Sequence, residues 1–247
     1  MEKLKRELDR LIEKLENAGD FRAKLEGLES VYPFNEYEYI ISHLVAAQKL
    51  TLGEYYELRD SYINRNLYLY IFEISAPRGF GDKWALGELK NLVPDFQIPS
   101  KNLDPNYSGE YDLLLNWVDE NKSSHSIRIE IKASRAVDFK KPDEPLYIKA
   151  LASDSRQPFD MNFQQIKVKC ADLFLWIAVW RDKIKYWVLT SDEVQKNKYF
   201  SKGQHRGNIG EGQLHLNQDN ISDFDKYEVK STEIKSAVIN AYKKLRK

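Results

Sequence analysis

The chain has 247 residues, of which 42% are hydrophobic, and its 38 basic residues balance its 38 acidic ones. This length and composition can bury a substantial core, which excludes global disorder, and the zero net charge gives no overall support for nucleic-acid binding. The single cysteine, Cys170, excludes a disulfide framework and a cysteine-rich zinc site. The charged N-terminus and the short apolar run over 171–180 predict no membrane span and a cytoplasmic location.

The first third of the chain is predicted to be helical. Apolar residues recur at helical spacing in three stretches: 2–29, 35–49 and 53–65. Thr51 is the predicted N-cap of the last helix, because Glu54 follows three positions later. We expect residues 1–66 to form a helical region that serves dimerisation or DNA contact, and residues 67–247 to form the main domain.

The next segment is less regular. Residues 67–74 fit either a strand or the end of a helix. A helix is predicted from residue 82 or 83 to Asn91; it carries Glu88, and Pro94 ends it.

From residue 111 onward the pattern favours strands. Four are predicted from their aliphatic and aromatic composition: 111–118, 127–133, 173–180 and 184–189. Further helices are predicted over 162–170, 191–198 and 230–245. Together these elements predict an α/β fold in which a mixed sheet is flanked by helices, with a helical N-terminal part.

The second predicted strand carries an unusual pair of charges. Glu130 and Lys132 are two residues apart, so they share one face, near the predicted strand end, while isoleucines occupy the other face. Asp112 opens the preceding strand, and the polar stretch 119–126 predicts a hairpin that brings Asp112 beside Glu130. Two converging carboxylates suit Mg²⁺, and a lysine beside them can orient a water molecule. The three residues predict phosphodiester hydrolysis.

Asp112 followed by Glu130-Ile131-Lys132 resembles the PD-(D/E)XK nuclease superfamily, and the stretch 79–194 looks like a type II restriction endonuclease. The resemblance implies a prokaryotic, Mg²⁺-dependent homodimer that cuts double-stranded DNA at specific sites, with residues 67–247 as its nuclease domain. It implies a metal site at Asp112, Glu130 and Ile131.

The resemblance extends to two further positions. A glutamate on the helix before the hairpin is matched by Glu88. A glutamine near the active site is matched by Gln165 or Gln164. Asp95, in a literal Pro-Asp pair, is a second choice for the motif aspartate, but it follows a helix instead of standing in a strand.

Other interpretations stay open. Glu130, Lys132 and Asp112 could form only a network of salt bridges, and Glu88 could be an ordinary helix-surface residue. The fold could also belong to a repair or structure-specific nuclease, or to a DNA-binding module without catalysis.

The glycine-rich stretch 201–217 is the candidate DNA-contacting loop. Its side chains include types that donate to base edges and phosphates: Gln204, His205, Arg206, Asn208 and Gln213. His205 and His215 could instead suggest zinc, although no cysteine supports such a site. A plain surface loop is the competing interpretation.

Overall fold

A computed structural model describes residues 10, 43–76, 79–203 and 211–246, without the side chain of Asp82. The chain forms two compact units, residues 1–65 and 66–247. Apart from Arg10, which is helical, the predicted helix over 2–29 lies outside the described residues, as does most of that over 35–49; residues 43–46 are helical.

Helix α1, Leu52–Asn64, begins with the predicted cap. The main-chain nitrogen of Glu54 donates to Thr51 Oγ1 at 3.2 Å, and Glu54 Oε2 accepts from the main-chain nitrogen of Thr51 at 2.8 Å. This reciprocal arrangement satisfies two main-chain donors that a helix N-terminus otherwise leaves unpaired. The N-cap prediction is confirmed, while the part that residues 1–66 play in dimerisation or DNA contact stays a prediction.

The second unit contains the remaining elements. It opens with a 3-10 helix at Leu69–Glu73, a π-helical segment at Gly79–Ala85 and helix α2 at Leu86–Leu92. Its strands are β1 (Leu113–Val118), β2 (Ser124–Arg135), β3 (Asp160–Ile166), β4 (Leu173–Val179), β5 (Ile184–Thr190), β6 (Phe200–Lys202), β7 (Gly212–Asn217) and β8 (Glu228–Val229). Its other helices are α3 (Ser191–Gln195), two 3-10 helices at Ile221–Tyr227 and Ser231–Glu233, and α4 (Ile234–Leu245). The ambiguous stretch 67–74 therefore contains a 3-10 helix instead of a strand.

The strands form two sheets. The main sheet has five strands in the order β1-β2-β4-β5-β8, in which β2 and β4 are parallel and the other neighbours antiparallel. The second sheet has three antiparallel strands in the order β3-β7-β6. The α/β class and the mixed sheet are confirmed.

Each face of the main sheet has its own core. On one face, apolar side chains of β2 pack with the helices: Ile127, Ile129, Ile131, Leu89 of α2 and Val238 of α4. On the other face, aromatic side chains of β4 pack with the second sheet: Phe174, Trp176, Phe163 of β3 and Leu214 of β7. Because side chains alternate along β2, Glu130 and Lys132 project toward the second sheet.

The prediction of a helix over 162–170 is wrong, because β3 occupies Asp160–Ile166. Met161, Phe163 and Ile166 are its buried residues. The pairing of β3 with β7 shifts between Phe163 and Ile166, so two buried positions lie three residues apart, as they would on a helix. Phe163 stacks on Trp176 with ring centroids 5.0 Å apart, which anchors the strand on the main sheet.

Smaller differences concern element ends. Strand β2 continues to Arg135, so Glu130 and Lys132 lie within the strand and not at its end. Helix α3 ends at Gln195 instead of residue 198. Within the described ranges, no helix combines the length and apolar character needed to cross a bilayer.

Candidate active site

The β1–β2 hairpin places Asp112 against the middle of β2. Leu113 is paired with Ile129, and the main-chain nitrogen of Asp112 donates to the carbonyl of Ile129 at 3.0 Å. Asp112 Oδ2 then accepts from the main-chain nitrogen of Ile131 at 2.8 Å. The predicted approach of Asp112 to the strand of Glu130 is therefore confirmed, and its carboxylate is held by the neighbouring backbone.

Glu130 and Lys132 are in direct contact. Lys132 Nζ donates to Glu130 Oε1 at 2.7 Å, and the two side chains are only 16% and 12% exposed, respectively. Burial raises the pKa of Glu130 to about 7, the positive charge of Lys132 opposes this, and the nearby Asp112 carboxylate adds to it. A carboxylate whose burial is incompletely compensated gains from a cation bound beside it.

The carboxylates of Asp112 and Glu130 also affect the pKa values of two neighbouring groups, the Tyr107 hydroxyl and the Cys170 thiol. Burial raises the pKa of the Tyr107 hydroxyl, and Asp112 raises it further. Burial also raises the pKa of the Cys170 thiol to about 12, with a further contribution from Glu130. Cys170 therefore stays protonated at neutral pH and is not available as a thiolate nucleophile.

The main chain of Ile131 is directed to the same edge as Asp112. Along β2, hydrogen bonds alternate between the two neighbouring strands: the Arg128 carbonyl accepts from the main-chain nitrogen of Asp172, and the Ile129 carbonyl from that of Asp112. By this alternation the main-chain groups of Ile131 are directed to the β1 side. Ile131 lies two residues past Ile129, which is paired with the first residue of β1, Leu113. An isoleucine offers a metal only its carbonyl, and here that carbonyl is directed toward the Asp112 side of the strand.

These oxygen donors fit Mg²⁺. Among residues 43–76, 79–203 and 211–246, no three His, Cys, Asp or Glu side chains converge as a metal-binding group, which does not favour a site built from protein ligands alone. Mg²⁺ is commonly held by one or two carboxylates, with water and substrate phosphate oxygens as its other ligands. Asp112 and Glu130 match that smaller requirement.

The site opens into a cavity of about 430 Å³ between the main sheet and β3. Besides the three charged side chains, it is lined by Gly81, Leu86, Ile131, Ala133, Asn162, Phe163, Gln164 and Gln165. The two glutamines named as candidates are thus in the cavity, although they stand on a strand and not on the predicted helix.

No family model and no curated protein sequence matches the chain.

Glu88 is not brought to this cavity. Its Oε1 accepts a hydrogen bond from Tyr186 Oη at 2.8 Å, and it lines a different cavity of about 770 Å³. Tyr186 belongs to the core on the helix-covered face, whereas Glu130 projects from the opposite face. The structure therefore does not bring Glu88, the candidate helix glutamate, together with Asp112, Glu130 and Lys132, because α2 directs its side chain to the other side of the sheet.

Asp95 is also engaged elsewhere. Its Oδ2 lies 2.9 Å from Lys235 Nζ on α4, and this hydrogen bond lowers the pKa of the Asp95 carboxyl. Asp95 does not line the cavity that contains Glu130. The geometry favours Asp112 as the aspartate of the site.

Most of the candidate DNA contacts lie outside the described residues: Gln204, His205, Arg206 and Asn208. Gln213 lies on β7, where its Oε1 is 3.4 Å from Asn162 Nδ2. The stretch 201–217 is thus in part strand, since β6 and β7 pair with each other. His215 Nδ1 lies 2.9 Å from Asp160 Oδ1, and the other histidine of the zinc alternative, His205, is outside the described residues.

Asn162 is a cavity residue that the sequence did not suggest. Its Oδ1 is buried and has no hydrogen-bond partner within the described part of the chain. The alternation of Met161, Asn162 and Phe163 is the signal that could have indicated it, since a polar residue between two buried ones is typical of a strand.

Proposed function

We propose that the chain is a metal-dependent endonuclease that hydrolyses phosphodiester bonds of double-stranded DNA, of the type II restriction kind. The observation that carries the proposal is the convergence of Asp112, Glu130 and Lys132 in one cavity at the β1–β2 hairpin. The mixed sheet supports the restriction-endonuclease-like fold that the motif implies.

In this proposal Asp112, Glu130 and the Ile131 carbonyl would hold Mg²⁺. When bound, the ion lowers the pKa of a coordinated water and offsets negative charge on the phosphate. Asp112 is positioned by its hydrogen bond from Ile131, so it needs little rearrangement to act as a ligand. Because its pKa is raised to about 7, the Glu130 carboxyl would have to release a proton at or below neutral pH before it could act as a ligand.

Lys132 supplies the positive charge that a phosphodiester hydrolase needs near the scissile bond. Its ammonium donates to Glu130 and lines the cavity where the phosphate is expected. With its remaining N–H donors it can orient the attacking water and stabilise the negative charge that develops on the phosphoryl oxygens. A fixed donor in a partly buried site is more effective than one in open water.

A homodimer completes the proposal. Cutting both strands of a symmetric sequence requires two active sites related by a two-fold axis. Residues 1–66 are the proposed dimer or DNA contact. Size-exclusion chromatography with light scattering, with and without a DNA duplex, measures the state directly.

The test is plasmid cleavage by the purified protein. We expect double-strand breaks at a fixed sequence with Mg²⁺ or Mn²⁺, binding without turnover in Ca²⁺, and no cleavage in excess EDTA. Sequencing the fragment ends gives the recognition sequence. Full activity in EDTA contradicts the metal site. Cutting confined to mismatched or branched duplexes indicates a repair or structure-specific nuclease, and binding without cleavage in any metal indicates a non-catalytic module.

A further inference from the structure

Strand β3 contains a bulge at the cavity. Phe163 is paired with Leu214 and Ile166 with Gly212, so Gln164 and Gln165 stand opposite a single residue of β7, Gln213. In a regular strand two consecutive side chains point to opposite faces, but here both glutamines line the same cavity as Glu130. A bulge redirects a side chain in this way.

The bulge depends on an unfavourable backbone conformation. Gln165 has a φ of 55°, in the left-handed region that side chains with a Cβ rarely adopt. A glycine would relieve this strain, but the position holds a long amide. Both glutamines are exposed, and within the described residues neither side chain has a hydrogen-bond partner. The strained position thus presents free amide groups to the cavity.

Resting on the proposed function, we infer that Gln164 and Gln165 form an amide wall that reads an adenine next to the scissile phosphate. Gln164 and Gln165 line the same cavity as Asp112, Glu130 and Lys132. A phosphate held by the charged side chains would therefore have its neighbouring base within the cavity that the amides line.

The chemistry of the amide selects the base. A glutamine side chain carries a donor and an acceptor side by side. A phosphate only accepts, and the major-groove edge of guanine presents two acceptors. Adenine presents N7 as an acceptor beside its N6 donor, which matches both groups of one amide. The amide wall is also uncharged, so it contributes sequence preference without the salt-dependent attraction that lysine would add.

The experiment uses duplexes randomised around the cut, cleaved in Mg²⁺ by the parent and by Gln164→Ala, Gln165→Gly and the double variant. We expect parent fragments to carry adenine at one fixed position close to the break. The double variant should lose this preference by roughly 5- to 150-fold, the range of one bidentate base contact. The salt dependence of cleavage should stay unchanged because no charge is removed.

Three controls separate readout from other effects. Gln195→Ala, at an exposed position on α3 outside the cavity, should behave as the parent. Gln165→Gly suits a positive φ, so its Tm should not fall. Replacing the adenine by 7-deazaadenine removes the N7 acceptor and should slow the parent but not the double variant.

The outcomes distinguish this inference from the proposed function. An unchanged base preference in the double variant, on a protein that cleaves DNA, overturns the amide wall and leaves the nuclease standing. An equal loss of cleavage on all sequences also overturns it, because the glutamines then act in positioning or catalysis. A parent that cuts no DNA in any metal overturns both.

Discussion

Two ion pairs on strand β2 differ in how completely they are satisfied. At its first half, Arg128 meets Asp172 through three hydrogen bonds: the main-chain nitrogen at 2.9 Å, Nε at 3.3 Å and Nη2 at 3.1 Å. At its second half, Lys132 and Glu130 share one hydrogen bond of 2.7 Å beside the further carboxylate of Asp112. The two pairs belong to the same strand, but they have different surroundings.

The difference separates a structural pair from a site. Asp172, just before β4, accepts hydrogen bonds from Arg128 of β2 with both of its carboxylate oxygens. This hydrogen bonding raises the pKa of Arg128. Burial raises the pKa of Glu130 despite Lys132, so its negative charge is not fully compensated. A satisfied pair stabilises the fold, whereas an incompletely compensated carboxylate in a cavity is suited to bind a cation.

The largest effect is expected from breaking the second pair. Glu130→Ala, Asp112→Ala and Lys132→Ala should each lower plasmid cleavage at least about 100-fold, because each removes a proposed metal ligand or the positive charge proposed to lie beside the phosphate. Circular dichroism should show a parent-like fold. Glu228→Ala is the matched control, since it breaks a 2.7 Å pair with Lys185 away from the cavity. A folded Glu130→Ala protein that cuts at the parent rate contradicts the assignment.

The stability of the protein should depend on pH through Glu130. The folded-state pKa of Glu130, about 7, lies above its ordinary value of 4.5. The folded state therefore binds the proton on Glu130 more tightly than the unfolded state does. The stabilisation by this proton is complete below pH 4.5 and is lost as the pH rises through 7. The metal-free parent should lose up to about 3 kcal/mol relative to Glu130→Gln over this window.

Urea unfolding of both proteins at a series of pH values in EDTA measures this difference. Mg²⁺ should restore the stability of the parent above pH 7, but not that of Glu130→Gln, because binding to the folded state replaces the proton. Parallel pH profiles of the two proteins argue against the burial of Glu130.

Breaking the first pair should affect stability and not chemistry. Asp172→Ala removes the acceptor of three hydrogen bonds, two of them from a guanidinium that is 43% exposed. We expect a loss of about 2 kcal/mol in the free energy of unfolding, the value typical of hydrogen bonds to a charged group.

The cleavage rate per folded molecule of Asp172→Ala should stay close to that of the parent. Asp192→Ala breaks the exposed pair with Lys196 and should cost less than about 0.5 kcal/mol. A selective loss of turnover in Asp172→Ala, at unchanged stability, would remove the distinction between the two pairs.

The smallest effect concerns the segment between β6 and β7. Arg206→Ala should weaken binding to all duplexes alike and lower the salt slope of the affinity by about one, if its guanidinium contacts a phosphate. Gln204→Ala should instead weaken only the cognate duplex. Gel shifts with cognate and scrambled duplexes at two salt concentrations compare them. Parent-like binding by both variants places recognition elsewhere, with residues 1–66 as the next region to test.

The hairpin and the cap of α1 could be predicted from the sequence because their interactions are local. Thr51 and Glu54 satisfy each other within one turn of helix. Asp112 and Glu130 are joined by two strands and a short polar turn, so the alternation of side chains is enough to place them on one site.

Tertiary contacts alone decided the other wall of the cavity. The partner of β3 is β7, about 50 residues later in the chain, and a bulge gives Phe163 and Ile166 the spacing of a helix. Packing on Trp176 and pairing with β7 make this segment a strand, and its bulge places Gln164 and Gln165 in the lining of the cavity that contains Glu130. Likewise the sequence predicted that Glu88 lies on a helix, but the direction of its side chain depends on the contact with Tyr186. Sequence periodicity reports which residues are buried, whereas the face they cover is set by non-local partners.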